Sequence, residues 1–280
     1  MTTAVEGPHT VTLADGVTVS VTEAGSGEPL VLVNGTTQAA ELWQPLVELF
    51  AARYRVITYD HRGMRESGRG DGPITVARLA DDLDQVLAAL HIEQCHVLGW
   101  SLGSAVVQEL ALAHPERVAS AVLWGTWGRT DVFQAAVFTG LRHPWATGDV
   151  SEALLALGIA FSPELLNSEQ FGPMMEQMLP LFPSTPGQVA TTVEQWDADL
   201  AHDSLDRLDQ ITAPTLVVVG EQDLLTPPWQ GRAVADRIPG ARFELFTGPG
   251  SSHAVGLERA EEFGTLVLDF LAEHPLVHHA

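Results

Sequence analysis

Ser101 is the residue of this sequence whose surroundings most clearly suggest nucleophilic chemistry. It lies between Gly99 and Gly103 in the segment GWSLG, after the apolar run CHVLGW and before a helix-like stretch that begins at Leu102. A chain that turns directly from a strand into a helix strains the residue at the turn, and flanking glycines remove side chains that would clash there. The serine hydroxyl would then stand above the edge of the sheet. The plainer alternative is a glycine turn with a serine that caps the helix.

A serine nucleophile needs a base to accept its proton, and His253 is the histidine best placed for this role. In a strand–turn–helix arrangement of this kind, the chain order is serine, acid, histidine. Four histidines lie late enough in the chain, namely His253, His274, His278 and His279. The last three lie at or beyond the end of the final helical stretch, whereas His253 follows the run ARFELF through the glycine-rich segment TGPGSS. The sequence therefore predicts His253 as the base, with an ordinary surface histidine as the alternative.

The acid that orients the imidazole is expected on the turn after the run TLVVVG, where both Glu221 and Asp223 occur. Gly220 ends the apolar run, so Asp223 lies further into the loop, where its carboxylate can reach the imidazole. The preceding run ends in LWGTWG, which offers no acid close by. We expect Asp223 to be the acid, and Glu221 is the alternative.

Two backbone N–H groups are candidates to bind the negative oxygen that develops when a serine attacks a carbonyl. One belongs to Leu102, at the N-terminus of the helix behind the serine. The other belongs to Thr36, in the loop after the run PLVLVNG, where Gly35 allows the backbone to approach closely. The sequence predicts these two groups as the oxyanion hole.

Several residues near the same sheet edge are candidates to line a substrate pocket: Asn34, Gly35, Trp100, Trp124 and Trp127. Three indoles at the ends of neighbouring strands favour an apolar pocket wall. Packing within the core is the alternative for each of them, and a buried indole N–H then needs a hydrogen-bond partner.

The hydrophobic pattern predicts the elements that position these residues. HTVTLADGVTVSVTEAG is typical of a hairpin about Asp15-Gly16. Six further short apolar runs follow, namely PLVLVNG, YRVITYD, CHVLGW, ASAVLW, TLVVVG and ARFELF. Their continuous apolarity predicts strands buried on both faces, as in a parallel sheet. Helical patterns separate them at 41–52, 75–90, 102–113, 228–238 and 258–272. This order predicts an α/β fold with a doubly wound, mostly parallel, eight-stranded sheet.

The alternation of strands and helices stops between Thr126 and about Asp209, where proline-interrupted, helix-like pieces occur without a strand-like run. We therefore expect a helical lid (cap) at 126–209, inserted into a core formed by 1–125 and 210–280. Methionines and leucines make this segment apolar, and methionine adapts to varied apolar shapes. Packing among its own helices explains any single methionine equally well.

The composition excludes some classes of partner. Asp and Glu number 36 and Lys and Arg 14, which gives a net charge of −22. Such a surface repels phosphate backbones and anionic lipid, so we expect a small-molecule substrate rather than nucleic acid or a membrane surface. The N-terminal MTTAVEGPHT lacks the basic and apolar regions of a signal peptide, and the longest apolar run, Ala153–Phe161, is too short to cross a bilayer.

We expect a cytoplasmic location and no cofactor. The single cysteine, Cys95, lies in an apolar run, which is typical of a buried, inert thiol. The remaining histidines show no metal-ligand spacing, and no phosphate-binding glycine loop is evident.

These residues together resemble the α/β-hydrolase superfamily over nearly the whole chain. GWSLG is similar to the nucleophile elbow of that family, GEQD to its acid turn and SSH to its histidine loop. YDHRGMRESG resembles the family's D-x-R-G-x-G-x-S loop, and LAHPERV the end of its following helix. Within the superfamily, the chain looks closest to small serine esterases, enol-lactonases and cofactor-free haloperoxidase-like esterases.

Two positions depart from the family pattern. Asn34-Gly35 stands where the family usually has His-Gly, and Arg65 replaces the second glycine of the arginine loop. We expect the Asn34 amide to brace the oxyanion loop by hydrogen bonds, and we expect the loop around Arg65 to have a different shape.

The resemblance implies a serine hydrolase that uses no cofactor and cleaves an ester, lactone or thioester of a mainly apolar small molecule through an acyl-enzyme. Two alternatives remain. The same serine chemistry can end in acyl transfer, cyclisation or C–C cleavage, which product analysis would distinguish. A ligand-binding receptor on a hydrolase fold is the second, and turnover of a model ester would dismiss it.

Overall fold

The structure, a computed structural model, describes residues 5–276. Of the histidines considered above, His278 and His279 lie outside the described residues. The described chain forms one sheet with the strand order β1-β2-β4-β3-β5-β6-β7-β8. The strands are β1 (Val5–Thr12), β2 (Thr18–Gly25), β3 (Pro29–Val33), β4 (Arg55–Tyr59), β5 (Cys95–Trp100), β6 (Val118–Trp124), β7 (Thr215–Gly220) and β8 (Arg242–Phe246).

Most of the sheet is parallel, as the sequence predicts. β1 and β2 form the antiparallel hairpin about Asp15-Gly16, β2 pairs antiparallel with β4, and the remaining neighbours pair in parallel. The chain runs from β3 to β4 in one direction across the sheet, then crosses back over β3 to reach β5 and continues the other way. The direction of winding therefore reverses between β3 and β5, and ligands of open α/β sheets bind outside the carboxyl ends of strands at such a point.

Helices cover both faces of the sheet. They are α1 (Gln44–Phe50), α2 (Val76–Ala89), α3 (Leu102–Ala113), α4 (Val132–Thr147), α5 (Val150–Ala156), α6 (Pro163–Leu166), α7 (Phe171–Met178), α8 (Pro186–Ala201), α9 (Pro228–Arg237), α10 (Val255–Glu258) and α11 (Ala260–Ala272). Apolar residues of α2, α3 and α9 pack in one core cluster, whereas those of α1 and α11 pack in a second. Because β3 to β7 are sandwiched between these two layers, their apolar residues need not alternate with polar ones.

Two local predictions differ from the structure. β8 was expected to be buried on both faces, but only Phe246 of its residues is buried, and Arg242 and Leu245 are exposed. This expectation is wrong because β8 is the edge strand, which the helical layers cover incompletely. The helix expected at 258–272 is interrupted at Arg259, whose φ of −127° separates α10 from α11.

The inserted segment, residues 126–209, lies between β6 and β7 and contains α4 to α8. All residues of this segment are described, and its only β-pairing is an isolated antiparallel bridge between Arg129 and Asp203. Its role as a lid, and the division of the chain into core and lid, stay predictions.

The cysteine and the helices of the described chain bear on two expectations from the sequence, a buried thiol and the absence of a membrane-spanning segment. Cys95 is buried in β5, and burial raises the pKa of its thiol to about 12. Within residues 5–276, none of the helices combines the length and the apolarity needed to span a bilayer.

Candidate active site

Ser101 lies at the junction of β5 and α3, directly between the last residue of the strand and the first of the helix. Its φ of 57° and ψ of −121° lie in a region that residues other than glycine rarely adopt. The Ser101 N–H donates to the carbonyl oxygen of Trp124 at 2.9 Å. The Ser101 carbonyl accepts from the Ser104 hydroxyl at 2.6 Å. The surrounding chain therefore maintains a strained turn at the serine.

Gly99 and Gly103 make this turn sterically possible. A Cβ atom on Gly99 would lie 2.2 Å from the carbonyl oxygen of Gly103, and one on Gly103 would lie 2.0 Å from that of Val33. Both distances are shorter than any Cβ contact allows, and the atoms met belong to the backbone, which cannot move aside. The two glycines are thus required by the close approach of β3, β5 and α3.

His253 lies in the loop between β8 and α10, and its imidazole is bound to Asp223. The Nδ1 atom of His253 lies 2.8 Å from Oδ2 of Asp223, and both side chains are buried. If this carboxylate accepts the Nδ1 proton, the lone pair of the neutral imidazole is on Nε2, which is the tautomer needed in a general base. Oγ1 of Thr226 lies 3.2 Å from the same Nδ1 atom.

Asp223 is held by the turn that contains it. Its Oδ1 accepts the N–H groups of Leu225 and Thr226, each at 2.8 Å, and its Oδ2 accepts the Thr226 hydroxyl at 2.8 Å. Glu221 is exposed, and its Oε2 accepts the N–H of Gly248 at 3.1 Å. Of the two acids considered from the sequence, the structure places Asp223 against His253 and Glu221 away from it.

Ser101 and His253 line the same cavity, which has a volume of about 50 Å³ and lies at the carboxyl edge of the sheet. Thr36, Trp100 and Phe161 also line it. Ser101 is 8% exposed and His253 3%, so bulk water has little access to either side chain.

Among the described residues, the N–H groups of Thr36 and Leu102 have no acceptor and are available to bind an anion. Leu102 is the first residue of α3, so its N–H has no acceptor within that helix. In the loop after β3, the N–H of Gly35 donates to Gln38 Oε1 at 2.6 Å and that of Thr37 to Gln195 Oε1 at 3.0 Å. The N–H of Thr36, between them, has no acceptor among residues 5–276.

Comparisons with known proteins identify the family. The family model described as "alpha/beta hydrolase fold" matches residues 28–258. The chain belongs to the α/β hydrolase family. It is 33% identical over 253 residues to a protein of Azorhizobium caulinodans named "Putative carbamate hydrolase RutD". The aligned region covers 89% of this chain and 93% of the relative. It is 32% identical to "Putative non-heme bromoperoxidase BpoC" of Mycobacterium tuberculosis over 91% of this chain and 98% of the relative. The crystal structure of the enol-lactonase from Burkholderia xenovorans superimposes with a TM-score of 0.84 at 26% identity, over 94% of this chain and 100% of that one.

Asn34 and Arg65, the two positions that depart from the hydrolase family pattern, both make hydrogen bonds to neighbouring segments. Asn34 braces the loop after β3, because its Nδ2 donates to the carbonyl of Tyr59 at 2.9 Å and its Oδ1 accepts from Trp43 Nε1 at 2.7 Å. Arg65 has a φ of 49°, the left-handed conformation that a glycine would favour. Its guanidinium donates to the carbonyl of Pro180 in the inserted segment at 3.0 Å.

The structure separates the expected pocket residues of this hydrolase into two groups. Trp100 lines the cavity and donates from Nε1 to the His253 carbonyl at 3.1 Å. Trp124 and Trp127 are fully buried and do not line it, and neither do Asn34 and Gly35. The expectation for these four residues is corrected accordingly. Trp124 stacks against Trp100 at 4.1 Å between ring centroids, and Trp127 packs against Phe138. Asn34 and Gly35 make hydrogen bonds to neighbouring protein groups instead.

Several residues that sequence reasoning missed contribute to the site. Thr226 bonds to Asp223, and Gly125, at φ 59°, leaves space for the His253 ring. Gln195 and Asp199 reach the oxyanion loop from α8. Gly125 directly follows a strand, a signal that could have identified it, whereas α8 is more than 150 residues away in sequence and gave none. Among the described residues, no group of three His, Cys, Asp or Glu side chains could hold a metal ion.

Proposed function

We propose that this chain is a serine hydrolase that cleaves an ester, lactone or thioester of a mainly apolar small molecule. The observation that supports this most strongly is the hydrogen bond between Asp223 and His253, whose side chain lines the same cavity as the strained Ser101. A serine, an oriented imidazole and a buried carboxylate together perform acyl transfer to water on many unrelated folds.

In the first half of the reaction, the Ser101 hydroxyl attacks the substrate carbonyl while its proton passes to Nε2 of His253. Asp223 stabilises the imidazolium that forms, and the N–H groups of Thr36 and Leu102 bind the oxyanion. The C–O or C–S bond to the leaving group then breaks, and His253 donates the proton to that group. In the second half, His253 deprotonates a water molecule that attacks the acyl-enzyme. Breakdown of the second tetrahedral intermediate releases the acid and returns the proton to Ser101.

The surroundings of Ser101 favour an apolar acyl group. The cavity beside it is lined mainly by apolar side chains, among them Leu42, Leu157, Phe161, Met178, Phe182 and Leu225. A cavity of about 50 Å³ is small, since one water molecule occupies about 30 Å³ of liquid. It has room for the reacting carbonyl and a short acyl chain.

A second, larger cavity on the other side of Phe161 has the volume for a longer acyl chain. It has a volume of about 860 Å³ and apolar walls that include Leu154, Leu155, Ile159, Leu166, Phe171 and Met175 of the inserted segment. Phe161 lines both cavities. We therefore infer that Phe161 is the partition between the reacting centre and an acyl-chain site. The net charge of −22 disfavours anionic substrates.

The proposal is tested with an active-site-directed fluorophosphonate and with p-nitrophenyl butyrate. We expect one label per chain, on Ser101, and steady release of p-nitrophenol. Ser101→Ala should abolish both, whereas Ser151→Ala, at an exposed serine of α5, should match the wild type. Labelling or turnover that persists in Ser101→Ala would contradict the proposed mechanism.

Hydrolysis of a carbamate is a second candidate, favoured by the 33% identity to a relative named as a putative carbamate hydrolase. The same attack and oxyanion stabilisation would apply to a carbamate carbonyl. Steady-state turnover of a phenyl carbamate, measured beside the phenyl ester of similar size, distinguishes the two. Analysis of the products in the presence of added alcohols or amines tests transfer to acceptors other than water.

A further inference from the structure

Helix α8 of the inserted segment contacts the oxyanion loop with two buried polar side chains. Oε1 of Gln195 accepts the N–H of Thr37 at 3.0 Å, and Oδ2 of Asp199 accepts the hydroxyl of Thr36 at 2.6 Å. Gln195 is 0% exposed and Asp199 1%. These two contacts join adjacent residues of the loop to one helix that is about 160 residues later in the chain.

The loop that α8 contacts is strained at Thr37. Its φ is 70°, and a β-branched residue rarely adopts a positive φ. Such a conformation persists only where neighbouring groups enforce it. Gln195 is one of these neighbouring groups, because its side-chain oxygen accepts the N–H of Thr37. The adjacent N–H of Thr36, which the strained turn leaves without an acceptor, is the proposed oxyanion donor.

The buried face of α8 contains polar atoms whose burial lowers the stability of the fold. Nε2 of Gln195 and Oδ1 of Asp199 have no partner among the described residues. A buried polar atom without a partner is costly, so apolar residues at these positions would pack at lower cost. The two side chains instead use their remaining atoms to hold the loop.

We propose that Gln195 and Asp199 are positioning residues, which hold the Thr36–Thr37 segment so that the Thr36 N–H faces the oxyanion formed at Ser101. This inference rests on the proposed serine hydrolase function. It makes the inserted segment part of the oxyanion hole, because displacement of α8 would release the loop. Neither side chain touches the substrate in this arrangement.

The charge state of Asp199 suits this role and guides the choice of variants. Burial raises the pKa of Asp199 to about 8, and the hydrogen bond from Thr36 lowers it by less. Burial thus favours the neutral carboxyl near pH 7. Asn at this position keeps an acceptor oxygen, the shape and the neutral charge.

The test compares variants that keep or lose the acceptor oxygen. Gln195→Met and Asp199→Leu lose it at similar volume, whereas Gln195→Glu and Asp199→Asn keep it. Gln195→Glu loses no hydrogen bond in the described chain, because Nε2 has no partner there, and burial favours the neutral acid at this position as it does at Asp199. Thr192→Val is the matched control, since Thr192 is also buried on α8 and its hydroxyl has no partner among residues 5–276.

Each variant is measured for kcat and KM on p-nitrophenyl butyrate, with active sites counted by complete fluorophosphonate labelling, and for Tm. We expect Gln195→Met and Asp199→Leu to lower kcat by roughly tenfold or more with KM nearly unchanged, because a displaced oxyanion donor weakens transition-state binding. Gln195→Glu and Asp199→Asn should retain kcat within about threefold, and Thr192→Val should match the wild type.

Two results would overturn the positioning role. In one, the Met and Leu variants lower Tm but keep the wild-type kcat per labelled site. In the other, the Glu and Asn variants lose as much kcat as the Met and Leu variants. A wild-type protein that neither reacts with the fluorophosphonate nor turns over any ester would instead overturn the proposed function, and the positioning role with it.

Discussion

Gly125 and His253 lie so close that no other residue type fits at position 125 without moving the imidazole. A Cβ atom on Gly125 would lie 2.8 Å from Cε1 of His253 and 3.0 Å from its Nδ1. The φ of Gly125 is 59°, so the end of β6 curves beneath the ring in a left-handed conformation. The imidazole is thus positioned from one side by Asp223 and Thr226 and limited on the other by the backbone of β6.

This contact predicts that Gly125→Ala lowers activity through displacement of His253. A shift of about 1 Å in a catalytic group can cost about 100-fold in rate, and we expect a loss of that order in kcat. Gly148→Ala is the control, since Gly148 also has a positive φ, 79°, but a Cβ there meets nothing within 4 Å. Both variants should lose about 1 kcal/mol of stability from the left-handed backbone, and only the first should lose activity. Equal kcat values for the two variants would contradict the steric argument.

The second prediction distinguishes the two acids of the turn after β7. Asp223→Asn should lower kcat by roughly 10⁴-fold, because an amide in place of the carboxylate favours the wrong tautomer of His253. Glu221→Gln should have a small effect, since Glu221 only accepts the N–H of Gly248 at the surface. The two variants are compared by kcat on p-nitrophenyl butyrate. If Glu221→Gln proves the more damaging change, the acid is assigned wrongly.

Features set by residues adjacent in sequence, such as the turn at Ser101, could be predicted from the sequence. The packing of individual side chains against segments distant in sequence could not. The turn at Ser101 follows from apolar run, glycine, serine and glycine in succession, and α3 has the bounds that the pattern predicts, 102–113. The contact of Asp223, rather than Glu221, with His253 could be predicted because the two acids lie at different distances from the strand end. Trp124 and Trp127, in contrast, could not be told from pocket residues, because an indole at a strand end is equally suited to the core.

The contacts of α8 show the same limit more strongly. Gln195 and Asp199 lie on a helix whose buried face also contains Thr191, Thr192 and Trp196. No property of these residue types indicates that two of them reach the loop after β3. That information lies in how the inserted segment packs on the sheet edge, which the sequence pattern does not encode locally.

The third prediction concerns stability at acidic pH and depends on His202. Burial lowers the pKa of this imidazole from 6.5 to about 4; Arg207 also lowers it, whereas the carboxylates of Glu109 and Asp203 raise it. The folded chain therefore binds fewer protons at this site than the unfolded chain between about pH 4 and 6.5, and the free energy of unfolding falls as pH drops through that window. Each unit of pKa difference corresponds to about 1.4 kcal/mol.

His202→Gln should reduce this acid sensitivity, since a glutamine can still bond with Ser204 and Gln108 but does not titrate. Denaturant unfolding at several pH values measures the slope of stability against pH for each protein. The wild type should lose more stability than His202→Gln as pH falls from about 6.5 to about 4. His143→Gln, at an exposed histidine, is the control and should parallel the wild type. Parallel curves for all three proteins would show that His202 does not contribute.

The last prediction concerns the length of the acyl chain and the partition at Phe161. The segment that carries this ring is fixed on both sides, because the carbonyl of Ala160 accepts the N–H of Ala254 and the N–H of Ser162 donates to Glu258. Phe161→Ala should therefore remove the ring without moving the backbone. The cavities of about 50 and 860 Å³ would then become continuous.

We expect the wild type to show a rise in kcat/KM from acetate to the short p-nitrophenyl esters, by up to about fourfold for each methylene that is buried, and then no further gain as the small cavity fills. Phe161→Ala should move the optimum towards octanoate and decanoate, since the longer chain can reach the larger cavity. Phe133→Ala, which removes a partly exposed ring lining neither cavity, should leave the wild-type profile unchanged. If the optimum is the same in the wild type and Phe161→Ala, the larger cavity is not the acyl-chain site. If kcat/KM falls steadily from acetate onward in both proteins, the substrate does not bind through an apolar chain, although the roles of Ser101, His253 and Asp223 would be unaffected.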